Sequence, residues 1–314
     1  ESLLNQEQLN DSSGFKGAVA TRSLQLPEAA VKLLQQSERP LIVAGPSTPH
    51  HALRNPFRAI SRQLNAPVIA EPGSSLTAEQ SLSIHRYEQS LRNPEHTERL
   101  RPDLIVRFGD QPFTKSLLSA FSAWADEDIP VIHFTARHQP QDQSMSTAYK
   151  IVCSPDDEID IPSVTGSGKD WLDCWKKLDE KAESELSQAL DGAVQLSDGH
   201  VFRHLAGMLH PGWDVMLSNS FIPRDMALFG RTTIHQFVNR GAAGIDGIIS
   251  TAAGIHCASD RPTACIVGDI ACLHDSNALL SLHDTERPFV IIILNNRGGN
   301  IFRMLPVYRH SNYY

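Results

Sequence analysis

Apolar residues in this chain cluster in short, uninterrupted runs that stop abruptly at glycine or polar residues. Pro40–Gly45, Pro67–Ala70, Leu104–Phe108, Val131–Phe134 and Tyr149–Cys153 are such runs in the first half; Trp213–Leu217, Ala264–Val267 and Phe289–Leu294 follow in the second. Runs of this length without alternation predict strands buried on both faces of a parallel sheet. Between them the spacing turns helical. Pro27 opens PEAAVKLLQQ from a first-turn position where its missing N–H costs little. Residues 51–64, a stretch near Lys115–Trp124, His200–Leu209 (with Ser197 and Asp198 as caps), Ile248–Cys257 and Leu273–Leu282 read as further helices. Trp171–Leu190 places apolar residues at 171, 172, 175, 178, 182, 186 and 190, one stripe of an amphipathic helix. The alternation predicts an α/β chain with two doubly wound, mainly parallel-sheet domains. Residues 1–25 read as a connecting arm, 26–153 as a first Rossmann-like domain, 154–170 as an acidic, Pro/Gly/Ser-rich linker, and 171–314 as a second domain.

The segment 264–306 concentrates the chemistry. Its two apolar runs end in Gly268-Asp269 and Asn295-Asn296, and the helical spacing between them makes one right-handed crossover unit. Both polar pairs then lie at carboxyl ends of parallel strands, where open α/β sheets bind ligands. Asp269 and Asn296 are hard oxygen donors, and Gly298 can turn sharply and offer its carbonyl. The trio suits a magnesium ion that keeps positions for water and phosphate oxygens. Two ordinary turn pairs after strands would read the same way. Two more loops leave predicted strand ends: Ser218–Asp225, expected to enter a helix at Pro223, and Asn239–Gly247, entering one at Ile248. The second is glycine-rich and precedes a helix N-terminus whose N–H groups suit an anion. Arg224 and Arg240 each add a planar fork for carboxylate or phosphate.

Composition narrows the ligands. With 28 Lys+Arg against 36 Asp+Glu the net charge is −8, which argues against a general nucleic-acid surface, so anionic ligands must be held by individual arginines. No run has the length of a membrane span, and no signal segment opens the chain. The five cysteines show no ligand spacing and fit free thiols of a reducing, cytoplasmic compartment. His50-His51 and His133/His138 lack companions at zinc spacing. The first-domain strand at 41–44 leads into Gly-Pro-Ser-Thr-Pro rather than GxGxxG, which disfavours a dinucleotide site.

Taken together, SNSxxxRD (218–225), NRGAxGIDGxxSTAxG (239–254), GDxxxLHDxNxLL (268–280) and NNxGGxIFxxLP (295–306) resemble one branch of the thiamine-diphosphate enzymes. That branch is the 2-succinyl-5-enolpyruvyl-6-hydroxy-3-cyclohexene-1-carboxylate (SEPHCHC) synthase family, often called MenD. In the first half, VIAEPGSSL, the Tyr87 region and RPDLIVRFGDQPFTKSL resemble its central domain, so the likeness spans about residues 27–306. The resemblance implies a magnesium or manganese ion on Asp269, Asn296 and the Gly298 carbonyl, holding the thiamine diphosphate tail beside Gly268. It further implies substrate contacts from Ser220, Arg224, Arg240 and Lys115, with Ile245, Ile301 and Phe302 lining cofactor and substrate. The implied reaction decarboxylates 2-oxoglutarate on the cofactor and adds the succinyl-semialdehyde carbanion equivalent to isochorismate, in menaquinone or phylloquinone biosynthesis. Family members work as homodimers or homotetramers, in which a pyrimidine-binding domain of a second subunit brings the activating glutamate. The resemblance does not extend to that domain, nor to the C-terminal end of the diphosphate-binding domain. The expectation is therefore an inactive fragment without a catalytic residue of its own, and Glu71 is not put in the glutamate's place. Departures are Ser116 where some relatives are basic, Ala271 where a hydroxyl is usual, and Arg297. The alternatives are another thiamine-diphosphate 2-oxo-acid decarboxylase or carboligase, or a non-catalytic partner lobe.

Overall fold

The computed structural model describes residues 22–48, 51–76, 78–139, 142–161, 164, 166–209, 211–230, 235–282, 286–304 and 308. In chain order the elements are β1 (Ser23–Gln25), α1 (Glu28–Gln36), β2 (Pro40–Ala44), α2 (Arg54–Leu64), β3 (Val68–Ala70), β4 (Ser83–Ile84), α3 (Tyr87–Ser90), α4 (Pro94–Arg99), β5 (Leu104–Phe108), α5 (Lys115–Ala125), β6 (Val131–Thr135), β7 (Thr147–Val152) and β8 (Glu158–Asp160). There follow α6 (Lys169–Asp191), α7 (Asp198–Met208), β9 (Asp214–Leu217), α8 (Phe221–Phe229), β10 (His235–Val238), α9 (Ile248–Ala258), β11 (Thr263–Gly268), α10 (Asp269–His274), a 3-10 turn Ser276–Leu282, β12 (Phe289–Leu294) and a 3-10 turn Asn300–Met304.

The expected α/β class holds, with every strand pair in the two large sheets parallel. The first sheet runs β4-β3-β2-β5-β6-β7 and the second β10-β9-β11-β12. Strands β2, β5, β6 and β9 are buried along their whole length, as uninterrupted apolar runs require when helices cover both faces. In each sheet the strand order reverses once, between β2 and β5 and between β9 and β11. The first of these switch points is closed by the chain itself. An added Cβ on Gly45 would fall 2.0 Å from the Asp110 carbonyl oxygen, and Gly109 has φ +76°. The second lies open to the loops described below.

The structure departs from the sequence reading in several places. Run 289–294 is less buried than expected: among the described residues β12 pairs only with β11, and Val290 and Ile293 are 41% and 51% exposed. The crossover helix is broken, since α10 ends at His274 and the remainder tightens into the 3-10 turn, leaving Leu273 and Leu280 exposed. Asp275, at the break, turns back to cap a neighbouring helix through Ser250. Residues 22–25 and 158–160, read as arm and linker, pair as the two parallel strands β1 and β8. The short elements β4, α3 and α4 carry too few periodic residues to announce themselves.

Helix α6 is amphipathic as its spacing demands, but its N-terminal half packs on the first sheet. Trp171, Trp175 and Leu178 join Leu41, Val43 and Phe121 in one core that also takes in Ala227 of α8. The Trp171 indole donates to the Pro40 carbonyl at 2.8 Å. Further along, Ala182, Leu186 and Leu190 are only half-buried. One helix therefore packs on the first sheet with its N-terminal half and is tied to α7 by its C-terminal half, through Glu183 with Arg203 and the Leu190 carbonyl with His200.

Candidate active site at the carboxyl edge of the second sheet

Four consecutive parallel strands deliver four loops to one edge. After β9 comes Ser218-Asn219-Ser220, after β10 Asn239–Gly247, after β11 Gly268-Asp269, and after β12 Asn295–Gly299. Because β9 and β11 are neighbours across the switch point, the first and third of these loops flank the crevice.

Helix α8 begins at Phe221, two residues before the expected entry at Pro223, and Ser220 precedes it with φ +65°. A serine in the left-handed region is strained by about 1–3 kcal/mol and persists only where its surroundings hold it. Ser220 is held by Arg224, whose Nη1 donates to the Ser220 carbonyl at 2.5 Å. Asn219 is buried and donates to the Gly244 carbonyl at 2.5 Å, tying the first loop to the glycine-rich second one. Among the described residues its side-chain oxygen has no partner, an uncompensated acceptor at the crevice.

The second loop is braced against α9. The Asn239 amide donates to Thr251 Oγ1 at 3.2 Å, and that hydroxyl donates to the Gly247 carbonyl at 2.6 Å. Asp275 occupies the α9 N-terminus, accepting from Ser250 N–H at 2.8 Å and Ser250 Oγ at 2.9 Å. The expected anion-binding helix end is thus partly taken by the chain's own carboxylate, which leaves the first-turn N–H groups of Ile248 and Ile249 ahead of it. Asp275 lies in the LHD triplet, but its role depends on a contact 25 residues away in sequence, and nothing local signals it.

Asp269 heads α10. Its Oδ2 accepts from Gly298 N–H at 2.7 Å and its Oδ1 from Ile270 N–H at 2.9 Å. The first of these bonds draws the β12 loop onto the β11 end and sets the Asp269 carboxylate beside the Gly298 backbone. Gly298 has φ +80°, a conformation that favours glycine, and a Cβ there would crowd Ile270 Cδ1 at 3.2 Å. Asn295 accepts from Arg297 N–H at 2.9 Å, which closes the turn and leaves Asn296 exposed beside it. Gly268 is half-buried with open space around its Cα. Among the described residues no group of three or more His, Cys, Asp or Glu gathers to hold a metal. The set here has another chemistry, one carboxylate with an amide and a carbonyl oxygen, and could hold a small hard cation that retains water and phosphate ligands.

A cleft of ≈ 950 Å³ opens between the two sheets, lined by Asp110, Phe113 and Arg137 on one side and Arg224, Arg240 and Asp246 on the other. Arg240 lies with its guanidinium 4.7 Å from the centre of the Phe113 ring. Burial lowers the Arg240 pKa and nearby Arg224 lowers it further, while Glu71 opposes. Arg137 is paired with Asp110 at 3.1 Å, whereas among the described residues Arg224 and Arg240 have no acidic partner within ion-pair distance. Two repelling guanidiniums facing one cleft could hold an anion.

Lys115 is exposed at the start of α5 and does not line this cleft, nor does Ser220. Ile245 is 37% exposed beside Asp246, and Ile301 is half-buried in the last 3-10 turn. The Phe302 side chain lies outside the described residues. Sequence reasoning missed the support beneath Phe113. Glu71 is fully buried and accepts from Phe113 N–H at 2.8 Å and Thr114 N–H at 3.0 Å. Glu88 accepts from Ser116 N–H at 3.1 Å, so two carboxylates hold the N-terminus of α5, where the helix dipole favours them. Burial, only partly offset by these bonds, raises the Glu71 pKa to about 7.

Comparison with known proteins agrees with this picture. Residues 225–313 match the family model described as thiamine pyrophosphate enzyme, C-terminal TPP binding domain. Over 303 residues the chain is 34% identical to the 2-succinyl-5-enolpyruvyl-6-hydroxy-3-cyclohexene-1-carboxylate synthase of Roseiflexus sp. (strain RS-1), covering 92% of this chain and 50% of the relative. The Bacillus velezensis synthase is 30% identical over 284 residues (87% and 48% covered), and that of Chlorobium luteolum 32% over 288 residues (88% and 47%). Residues 225–313 thus match a thiamine-diphosphate-binding family, and nearly the whole chain is similar to SEPHCHC synthases. It spans about half the length of the curated relatives it matches. Among the described residues no helix is long and apolar enough to cross a membrane.

Proposed function

We propose that this chain contributes the central and diphosphate-binding parts of a SEPHCHC synthase, with domains at about 26–153 and 171–314. The observation that carries this reading is the Asp269–Gly298 bond, which joins the two halves of the motif on the edge where the arginine loops also end. Asp269, the Asn296 amide oxygen and the Gly298 carbonyl would hold magnesium or manganese against the diphosphate, beside Gly268. Ile245, Ile301 and Phe302 would flank the cofactor, and the unpaired oxygen of buried Asn219 offers it a further acceptor. Thiamine diphosphate, when bound, supplies the electron sink for decarboxylating a 2-oxo acid and transferring the acyl-anion equivalent.

The chain's own residues bind and orient. Arg224 and Arg240 neutralise and align carboxylates of 2-oxoglutarate and isochorismate, and Ser220 presents a hydroxyl at the mouth of the crevice. The unpaired arginines explain how a chain of net charge −8 can take two anionic substrates. A cytoplasmic homodimer or homotetramer, with a pyrimidine-binding domain from a second subunit supplying the activating glutamate, completes the reading.

The test is an assay of the full-length parent with 2-oxoglutarate and isochorismate, with pyruvate as the competing substrate. Turnover of pyruvate without turnover of that pair would assign the chain to another thiamine-diphosphate carboligase. The 314-residue chain alone is expected to show no carboligase activity, and measurable turnover by it refutes the assignment of activation to another domain.

A separate prediction concerns Asp225, buried on α8 next to Arg224. Burial and then the nearby Asp198 raise its pKa from 3.8 to about 7, with Arg224 opposing. The folded state therefore holds a proton that the unfolded chain releases between these values. Its stabilising contribution is complete below pH 3.8 and is lost as pH rises through about 7. Asp225→Asn is expected to stabilise the chain at pH 8 by about 1–3 kcal/mol and to be close to neutral near pH 4. Urea denaturation at the two pH values measures this; equal effects at both contradict it.

A further inference from the structure

A second cavity, of ≈ 440 Å³, lies away from the cleft, between α2 and the edge strand β10. Arg54, Arg58 and Arg62 line it from α2, and His235 and Phe237 from β10. Residues four apart on a helix share a face, so the three guanidiniums form a row with a step of about 6 Å. Only Arg62 has an acidic neighbour, Glu79 at 3.8 Å. Among the described residues Arg54 and Arg58 have no acid within ion-pair distance.

The opposite wall does not neutralise them. His235 Nδ1 lies 2.7 Å from Arg261 Nη1, and burial, Arg261 and Arg54 lower its pKa while Asp214 raises it, so the ring stays neutral and adds no negative charge. Asp214 is committed to its own side, lying 3.8 Å from Arg261 Nη1 and accepting from Ser259 Oγ at 2.5 Å. Glu71 forms part of the cavity's inner wall but is spent on the backbone of Phe113 and Thr114. The remaining lining mixes the apolar side chains of Phe57, Leu76 and Phe237 with the polar Ser61, Ser74, Ser75 and Gln236. Two uncompensated guanidiniums one helical turn apart, in a chain of net charge −8, would repel without an anion to share. The cavity is much larger than an inorganic oxyanion needs, and its apolar wall suits a short carbon skeleton.

We propose that this cavity binds a small dicarboxylate, with its carboxylates on Arg54 and Arg58 and its methylene chain along Phe57 and Leu76. The site is distinct from the cleft of Arg224 and Arg240, and the proposal does not depend on the thiamine-diphosphate reading.

The test is calorimetric titration of the 314-residue chain with succinate, with acetate and inorganic phosphate as comparisons. Saturable succinate binding is expected, at least about tenfold tighter than either comparison, because two charge-assisted contacts form rather than one. Arg54→Ala/Arg58→Ala is expected to weaken it by tenfold or more. Lys32→Ala/Lys177→Ala, which removes two positive charges from other helices, should leave it unchanged. All four side chains are on exposed positions, so matching thermal melts verify that each variant folds. Three results would overturn the proposal: undiminished succinate binding in the arginine variant, equal weakening in the lysine variant, or phosphate binding as tightly as succinate.

Discussion

Asp269→Ala is expected to abolish magnesium-dependent binding of thiamine diphosphate, the largest single-residue effect on ligand binding in the chain. The substitution removes the one carboxylate of the proposed donor set, and the amide and carbonyl that remain are neutral ligands with no charge to offset the dehydration of magnesium. It also removes the acceptor of the Gly298 N–H, freeing the β12 loop that carries Asn296. Stability should change by no more than about 1 kcal/mol, because the residue is only half-buried at a helix start. Calorimetry with thiamine diphosphate, with and without magnesium, separates the outcomes. Binding that survives in the variant and still requires the metal would place the metal elsewhere.

Arg86→Ala should be the most destabilising exchange of a charged residue, by about 3–5 kcal/mol, since it breaks a buried ion pair from one side. The Arg86 side chain is 2% exposed, and its Nε donates to Glu183 at 2.5 Å. Its Nη1 donates to the carbonyls of Leu228 at 3.0 Å and Gly230 at 2.8 Å, so the guanidinium caps the C-terminal end of α8, where the helix dipole favours a cation. Arg203 joins Glu183 from α7, and Asp179 accepts the Arg86 N–H at 2.6 Å. Burial lowers the Arg86 pKa while Glu183 opposes, and removing the arginine leaves Glu183 with Arg203 alone and takes the Arg86 donor from the Phe229 and Gly230 carbonyls. Arg86→Lys should recover only part of the loss, because an ammonium cannot reproduce the planar fork. The midpoint and slope of urea denaturation report the effect, and a loss below about 1 kcal/mol would show that the network adds little. Since α8 carries Ser220 and Arg224 at its other end, the same variant should also loosen the substrate side of the cleft.

These two residues differ in how visible they were. Asp269 stands in a pattern of residue types with fixed spacing after an apolar run, and that pattern survives in one dimension. Arg86 sits between two short elements with no periodicity, and its partners lie more than ninety positions away at Glu183 and beyond at Leu228 and Gly230. Glu71 belongs with it. As a letter in VIAEPGSS it resembles any polar residue after a strand, and only the packing of α5 shows that it carries Phe113 and, through that ring, Arg240. The exposure of Val290 and Ile293 on β12 was also illegible, because a run of Phe, Val, Ile and Leu reads the same whether or not a neighbour covers it.

The sequence by itself determined the class of fold, the strand cores and the loops that end in Asp269, Asn296, Arg224 and Arg240. Strand and helix periods, glycine positions and motif spacing are local properties, set by backbone sterics and by which side chains must leave water. Only the tertiary structure decided which strands are neighbours and therefore which loops meet. It placed β9 beside β11 to open the crevice, seated Asp275 on the α9 end, and stretched α6 from the first sheet to α7. Contacts of that kind depend on pairing across long loops and on burying groups against partners distant in sequence, which no local pattern records.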